Sequence, residues 1–523
     1  MPNSVAGPTD HCDPRIAPFR FLSRPESLGI AVVGEAFRQE VASVLGRYVV
    51  SLGAPVYEPK WSSRFWSGIV GGAALATGTA VVVIIRVGAT VDLTVPAIAA
   101  GAVALLLITT RWPIVGLGIA LVVDYNPVFN YLFLYTREFQ GGSLRATISL
   151  VLLGLVFGGA LVHNFRSGRL VRGVRISLPV LAYLMFVGIG LAFGLVQGND
   201  TRLIGSDLFP VVEFFGYLLL TAQIVGSSGR ARAVCWIVVI WGGVVALIDD
   251  AVYAFNGDQL VSHFALGGTA TLVSRLDDFM PALILPVGLA LLMHEPARRR
   301  QLAIMMWLIP IVIAVALSFF RSLWVGIIVA VLFLIIVVEH RQRATAMVRL
   351  GSFATVTAVI MLAAGGLLLG SIAAVHGQSV LDLIAGRVSY LEPTSGGARI
   401  EDNLALLAMI RAQPFFGTGL GGEINSFPLF STSNYYLSMA AELGIFAPLA
   451  FVVALLGLLR STLVAASQAP DRVRGPVLGI VGSFVAMAVT LATFPSVVHY
   501  PIPAYLGTFA GCLLVFRRSA ATD

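Results

Sequence analysis

The sequence predicts an all-α fold, a polytopic transmembrane helix bundle of about 14 spans with one long extracytoplasmic loop that contains an amphipathic helix. Composition is the first reason. Hydrophobic residues make up 57% of the chain and charged residues 12%, and the mean hydropathy is +0.89, far outside the range of soluble proteins. The second reason is that apolar runs long enough to cross a bilayer recur along the chain and are interrupted by one long polar stretch, 376–433.

Hydropathy windows define the individual spans, each long enough at ~1.5 Å per residue to cross a hydrocarbon core of about 30 Å. Asp124, Asn126 and Pro127 interrupt the third span, so a re-entrant or broken helix is the alternative there. The predicted spans lie near 67–86, 91–110, 113–134, 144–163, 176–197, 207–225, 233–255, 277–294, 301–320, 322–339, 350–375, 434–459, 475–497 and 500–516.

The tail before the first span has apolar residues at helical spacing over 28–49. This pattern predicts an amphipathic helix on the cytoplasmic membrane surface, and a partner-binding tail is the alternative. The predicted regions are an N-terminal tail (1–66), an N-terminal transmembrane region (67–269), a second transmembrane region with the long loop (270–516) and a C-terminal tail (517–523).

Arginines at the span ends predict the orientation, because basic residues are retained on the cytoplasmic side. Alternate connections carry most of them, including those at 166–175, 298–300 and 472–474. Both termini are therefore expected in the cytoplasm and 376–433 outside. This orientation, with anionic lipid headgroups, accounts for the net charge of +7 without nucleic acid. Three scattered cysteines predict neither a disulfide framework nor a metal site.

The long loop carries the clearest functional signal, since loops of this length are usually working parts. Ala398–Ala412 mixes apolar and charged residues as an amphipathic helix does, and Pro414 ends it. The following G-T-G-L-G-G permits positive φ angles and close backbone approach to a ligand. It is not a nucleotide-binding loop, because no Lys-Ser/Thr pair follows it.

Three segments in order carry a family resemblance: S-F-F-R-S-L-W, then R-I-E-D-N-L-A-L-L-A-M-I-R-A-Q-P-F-F-G-T-G-L-G, then S-N-Y-Y-L-S-M-A-A-E-L-G-I-F. Together, over roughly residues 270–516, they resemble the O-antigen ligase and O-antigen polymerase superfamily. Its members are bacterial inner-membrane glycosyltransferases. They take a saccharide from a polyprenyl pyrophosphate carrier on the outer face and join it to another saccharide or to lipid A core. The resemblance implies polysaccharide biosynthesis for the cell envelope, such as exopolysaccharide formation.

The resemblance also implies a substrate-binding set of arginines. Arg275 in S-R-L-D-D-F-M-P, Arg321 and Arg399 match the family's arginines and are expected to hold the donor pyrophosphate. Guanidinium groups suit this role because they stay charged and bind phosphate oxygens in a planar fork without a metal. The alternative is that Arg321 caps the C-terminal end of a helix and Arg399 is a solvated loop residue.

Further candidates for substrate binding lie in the same part of the chain. Arg387 is in the long loop, and Asn434 and Tyr435 open the span that follows it. A tyrosine here could contact a sugar, although aromatic residues are common at membrane interfaces. Glu442 lies two turns into that span and is expected to meet an arginine or backbone donors, because an unpaired carboxylate there is costly.

One position departs from the family pattern. Ligases of the superfamily usually carry a His directly before the Asn, where it is thought to act as the base, and this chain has Ser433. Serine cannot replace imidazole as a base near neutral pH, so either another group accepts the proton or the reaction relies on positioning. Polymerase members of the family more often lack this His, so the resemblance favours polymerisation over ligation. Glu423 and Asp402 are then the leading catalytic residues, as proton acceptors. The alternatives are two acidic pairs, which could instead bind a divalent cation: Asp249 with Asp250 and Asp277 with Asp278.

The predicted protein is thus an inverting glycosyltransferase of the bacterial cytoplasmic membrane that needs neither metal nor cofactor. Its expected partners are a polyprenyl-pyrophosphate-linked saccharide donor, a saccharide or lipid-linked acceptor and membrane lipids, with a flippase or chain-length regulator as candidate protein partners. Two other classes stay open. A flippase or exporter of lipid-linked oligosaccharide would use a cationic central cavity, and a non-catalytic envelope-assembly component would need no base.

Overall fold

The computed structural model describes residues 94–124, 143–168, 177–255, 261–262, 271–272, 280–318, 321–375, 394–424, 427–428, 434–492 and 501–522. The predicted first span, 67–86, and the predicted tail helix, 28–49, lie outside these residues. Within them the protein is almost entirely helical, as predicted. Two short antiparallel strand pairs are the exceptions in the described ranges: β1 (Val261–Ser262) with β2 (Thr271–Leu272), and β3 (Glu423–Ile424) with β4 (Phe427–Pro428).

Fifteen helices make up the described part of the chain, and their order follows the hydropathy pattern. The helices are α1 (Thr94–Arg111), α2 (Pro113–Asp124), α3 (Ser143–Arg166), α4 (Leu178–Gln197), α5 (Thr201–Ile224), α6 (Ser228–Phe255), α7 (Met280–His294), α8 (Arg298–Leu317), α9 (Arg321–Val337), α10 (His340–Val375), α11 (Thr394–Ala412), α12 (Tyr435–Leu443), α13 (Phe446–Gln468), α14 (Asp471–Leu491) and α15 (Ile502–Thr522).

Eight of the described helices are long and apolar enough to cross a bilayer, which supports a multi-pass membrane protein. Four further apolar helices are shorter than a full crossing, and the predicted total of about 14 spans is not confirmed. The eight are α3, α4, α5, α6, α8, α10, α13 and α14.

Two predicted spans are shortened or divided in the structure, and the helix of another, α10, begins at His340 rather than at 350. The third ends as a helix of 12 residues at Asp124, the residue that interrupted its hydropathy, and 125–134 lie outside the described residues. The predicted span 434–459 is two helices, α12 and α13. Gly444 separates them with a φ of +84°, and an added Cβ would lie only 2.0 Å from the Phe415 carbonyl oxygen, so a side chain cannot occupy this position.

Several helices that the site depends on have well-defined ends. Gly198 ends α4 in the left-handed conformation, and Asp200 begins α5 by accepting the Arg202 N–H at 2.8 Å. Because these ends lie only a few residues apart, α4 and α5 form a tight helical hairpin. The helix predicted within the long loop is present as α11, while the extracytoplasmic position of that loop stays a prediction.

Arginines gather at the other end of α5, which is 24 residues or about 36 Å long. Arg232 near the start of α6 pairs with Glu295, which follows α7, at 2.5 Å. The Arg349 guanidinium donates to the Met293 carbonyl at 2.5 Å. We call this set, with the Arg474–Glu339 ion pair at 2.7 Å, the arginine end. Several of the connections that the basic residues predicted to lie on one side of the membrane therefore do come together in the structure. Which side is cytoplasmic stays a prediction.

Deeper along α5, buried carboxylates meet hydroxyl groups. Ser149 on α3 donates to Glu213 at 2.7 Å, and the Tyr217 hydroxyl donates to Asp124 at the end of α2. The Tyr505 hydroxyl on α15 donates to a carbonyl of α2 at 2.8 Å. These bonds tie four helices together where an unpaired charge would be costly.

Candidate functional site

The two predicted arginines that the structure describes lie on separate elements. Arg321 is the first residue of α9 rather than the last residue of the helix before it. Arg399 lies in the first half of α11. Arg275 and Arg387 lie outside the described residues. The convergence of guanidinium groups on one anion therefore stays a prediction.

The predicted proton acceptors lie on either side of one loop. Asp402 is half-buried on α11, three residues after Arg399 along the helix. Glu423 forms β3 with Ile424 and is paired with Pro428 across the strand pair. The intervening segment, residues 414–422, is called the glycine loop here. It connects α11 with β3.

The glycine loop adopts the positive φ angles predicted from its sequence. Gly417, Gly419 and Gly421 have φ values of +65°, +78° and +77°. An added Cβ at Gly419 would lie 2.3 Å from the backbone nitrogen of Gly194 in α4, closer than any real contact. The close approach that these glycines permit is therefore made to a neighbouring helix.

On one side the glycine loop is hydrogen-bonded to α12. The Thr418 N–H donates to the Ala441 carbonyl at 2.9 Å, and the Gly419 N–H donates to the Glu442 carbonyl at 3.0 Å. Both acceptors lie in the last turn of the helix, where carbonyl groups have no partner within the helix. The loop thus closes the end of α12.

On its other side the glycine loop is hydrogen-bonded to α4 and α5. The Leu420 N–H donates to the Gly190 carbonyl at 2.9 Å, and the Gly421 N–H donates to the Asp207 carboxylate at 2.7 Å. The Asn199 side chain donates to the Leu420 carbonyl at 2.8 Å. Each of these N–H groups is already bound within the protein and is therefore not free to bind a ligand.

Asn434 and Tyr435 have structural partners at the start of α12. The Asn434 carboxamide oxygen accepts the N–H groups of Tyr436 at 3.1 Å and Leu437 at 3.2 Å, which is an N-cap. Tyr435 is buried, and its hydroxyl is hydrogen-bonded to Tyr183 of α4. Tyr435 can contact a saccharide only if α12 moves, whereas the amino group of Asn434 is not used by the cap.

Glu442 has no hydrogen-bond partner within the described part of the chain. Its exposed fraction is 0%, and neither carboxylate oxygen has a donor there. The prediction that an arginine or backbone donors would pair with it is therefore wrong. Its helix is nine residues long and is not one of the membrane-crossing helices. Burial, and then the charge of Asp207, raise the pKa of Glu442 well above its usual value.

Asp207 was missed from the sequence, where it is one carboxylate in an apolar run. It is 3% exposed, lies two turns into α5 and interacts electrostatically with Glu442 and Tyr435. An acidic residue inside a predicted span was the available signal, because such residues are costly and tend to be functional.

The outer surface of this region is apolar and aromatic. Phe416 of the glycine loop stacks on Phe193 of α4 with ring centroids 5.6 Å apart, and Phe415 stacks on Phe446 of α13 at 6.3 Å. On α11, Leu406 packs against α12. Ala405, Met409 and Ile410 pack beside it, whereas three apolar side chains form an exposed stripe: Ile400, Leu404 and Leu407.

No group of three or more His, Cys, Asp or Glu side chains that could hold a metal ion occurs among the described residues. Of the alternative acidic positions, Asp250 lies on α6, and Asp277 and Asp278 lie outside the described ranges. Independence from metal stays a prediction.

Comparison with protein-family models, with curated proteins and with solved structures finds no match in any of the three.

Proposed function

We propose that this protein is a membrane glycosyltransferase that polymerises polyprenyl-pyrophosphate-linked oligosaccharide on the outer face of the bacterial cytoplasmic membrane, with ligation as the less favoured variant. The observation that carries the proposal is the anchoring of the glycine loop. Its hydrogen bonds to α4, α5 and α12 hold α11, with Arg399 and Asp402, against the helical bundle. A segment held this firmly is suited to positioning substrates.

The proposed chemistry is an inverting displacement. The acceptor hydroxyl oxygen forms a bond to the anomeric carbon, the bond from that carbon to the pyrophosphate oxygen breaks, and the pyrophosphate leaves with the bonding electrons. Arg275, Arg321 and Arg399 stabilise the leaving charge, and Asp402 or Glu423 accepts the hydroxyl proton. Arg387 and Asn434 complete the proposed substrate contacts.

The exposed stripe of α11 fits this chemistry. Ile400, Leu404 and Leu407 offer hydrocarbon to a lipid surface beside a helix that also carries Arg399 and Asp402. A helix with such a stripe lies in the membrane interface, where the pyrophosphate of a polyprenyl carrier is also found.

The test is glycan extension by the purified protein in detergent with a polyprenyl-pyrophosphate oligosaccharide, followed as a product ladder on gels. Arg399→Ala and Arg321→Ala should each lower the rate by about 100-fold or more, because each removes a charge that stabilises the leaving group. Arg411→Ala is the matched control on α11 and should keep the activity. Normal extension by Arg399→Ala at equal protein level would remove Arg399 from the mechanism.

A flippase or exporter of lipid-linked oligosaccharide is the second candidate. It is favoured by the buried carboxylates Asp124, Asp207 and Glu213, since acidic side chains within membrane helices are typical of ion- or proton-coupled transporters. Sealed vesicles separate the two functions. Lipid-linked oligosaccharide that crosses the bilayer without being extended would identify a transporter, and neither activity would identify a non-catalytic assembly component.

A further inference from the structure

A carboxylate with no partner is the starting point. Both oxygens of Glu442 are buried and without a hydrogen-bond donor among the described residues. Leaving such a group ionised would cost several kcal/mol, whereas binding one proton removes the charge. We therefore expect Glu442 to be neutral in this fold, with a proton bound to its carboxylate.

The groups that face Glu442 come from three helices. They are Asp207 on α5, Tyr183 on α4 and Tyr435 on α12 itself. The other helices packed on α12 offer apolar side chains in these contacts, with Leu406 from α11 and Phe451 from α13 as examples. No positive group is found among the described residues that face it.

The two carboxylates are not equivalent. Asp207 accepts the Gly421 N–H at 2.7 Å, and a hydrogen bond from a backbone amide stabilises the ionised form. Glu442 receives no such bond. Two buried carboxylates that repel each other cannot both be charged at low cost, and Glu442, which receives no hydrogen bond, is the one expected to hold the proton.

The glycine loop is connected to both members of the pair. The Gly419 N–H donates to the backbone carbonyl of Glu442, and the Gly421 N–H donates to the Asp207 side chain. A second negative charge at Glu442 would repel Asp207 and push apart the two groups that the loop joins. A change in the charge of the pair would therefore act on two of the contacts that anchor the loop.

We propose that Glu442 and Asp207 form a buried proton-binding site beneath the glycine loop, and that the proton bound on Glu442 keeps the loop seated against α4, α5 and α12. The site goes beyond glycan transfer and beyond transport. It needs no saccharide to be tested.

The test is infrared spectroscopy of the purified full-length protein across a pH series, reading the carbonyl-stretch band of a protonated carboxylic acid. The wild type should show this band at neutral pH. Glu442→Gln should lose the component of this band that Glu442 supplies, while Glu401→Gln, at an exposed glutamate of α11, should keep it. Asp207→Asn should keep the band and move its midpoint down by about one pH unit or more, because the repelling charge is gone.

Amide hydrogen exchange over residues 414–424 supplies a second measurement. In the wild type, protection should fall over the same pH range in which the band is lost. In Glu442→Gln, protection should stay high across that range, because the amide is neutral at every pH. Loss of protection at the same pH in this variant would overturn the link between proton and loop.

Two further results would overturn the proton site. One is a wild-type spectrum with no band that depends on Glu442 in folded protein. The other is loss of the band when sodium replaces choline at fixed pH, which would assign the site to a monovalent cation. Because neither measurement involves a saccharide, failure of the proposed glycan transfer would leave the proton site standing, and the converse also holds.

Discussion

A buried glutamate lies near each end of α5, and the two glutamates differ in the charges that surround them. At the arginine end, the side chain of Glu295 is 1% exposed and is balanced by Arg232 at 2.5 Å and Arg300 at 3.5 Å. At the glycine loop, Glu442 is equally buried, faces Asp207 and has no cation beside it in the described structure. A fixed counter-ion makes the first site structural. At the second site no counter-ion lies beside Glu442 among the described residues, so we expect the charge of Glu442 to depend on pH.

The carboxylates midway along α5 belong with the arginine end in this respect. Glu213 and Asp124 each have a hydroxyl partner, from Ser149 and Tyr217. Hydroxyl groups satisfy a buried carboxyl group in either charge state, because they both donate and accept. Glu442 therefore differs from Glu213 and Asp124 because neither of its carboxylate oxygens has a hydrogen-bond donor among the described residues. The following predictions test that difference.

The largest effect is expected at the arginine end. Arg232→Ala leaves the buried Glu295 with Arg300 alone, whose side chain is 62% exposed, and should lower the free energy of unfolding by about 3–5 kcal/mol. Thermal unfolding in detergent measures the loss. Arg230→Ala, at an exposed residue two positions earlier, should be nearly neutral. Equal stability of the two variants would show that Glu295 is not charge-balanced by Arg232.

At the loop end, Gly419→Ala should cost at least about 2 kcal/mol, because it adds a clash with Gly194 to an unfavourable positive φ. Gly198→Ala isolates the cost of the positive φ. Its φ is also +78°, but an added Cβ meets no atom within 4 Å, so it should cost about 1 kcal/mol. Unfolding midpoints measure both, and a loss at Gly198 as large as that at Gly419 would argue against tight seating of the loop.

The N-cap of α12 should contribute less. Asn434→Ala removes the acceptor for two N–H groups and should destabilise the protein by about 1 kcal/mol, while Asn434→Asp should restore most of this. If glycan extension falls in both variants although Asn434→Asp is stable, Asn434 also contacts substrate through its amino group. Activity that follows stability alone would make the residue purely structural.

The smallest effect at low pH, and the one that depends most on pH, is expected for Glu442→Gln. The raised pKa means that the folded state holds a proton that the unfolded state releases above about its ordinary value of 4.5. Stability from this group is thus fully present below that pH and is lost as pH rises towards the folded-state pKa. The variant should match the wild type in acid and become the more stable protein as pH rises. Parallel stability curves would contradict this.

The sequence was sufficient for the features that depend on local pattern. Most helices begin and end within a few residues of the hydropathy windows, the interruption at Asp124 does end a helix, and α11 forms where mixed polarity predicted it. The glycine loop also has its expected backbone angles. Each of these follows from periodicity or from the conformational freedom of single residues.

The features that sequence reasoning missed depend on contacts between distant segments. A hydropathy window averages over Gly444, so the break between α12 and α13 was read as one span. Glu442 was noticed, but its neighbour Asp207 comes from a helix far earlier in the chain, and nothing local to either residue indicates the other. The partner expected from energetic cost alone was a cation, whereas the fold supplies a second acid.

The way the glycine loop is anchored has a practical consequence for protein production. Its N–H groups end on Gly190, Asp207 and Ala441, so a peptide comprising 394–444 would leave behind the α4 and α5 acceptors on which it depends. The same fragment would expose Ile400 and Leu404 of α11 to water. Soluble excised fragments are therefore poor reagents here. Antibodies and crystallisation chaperones should be raised against the intact, detergent-purified chain.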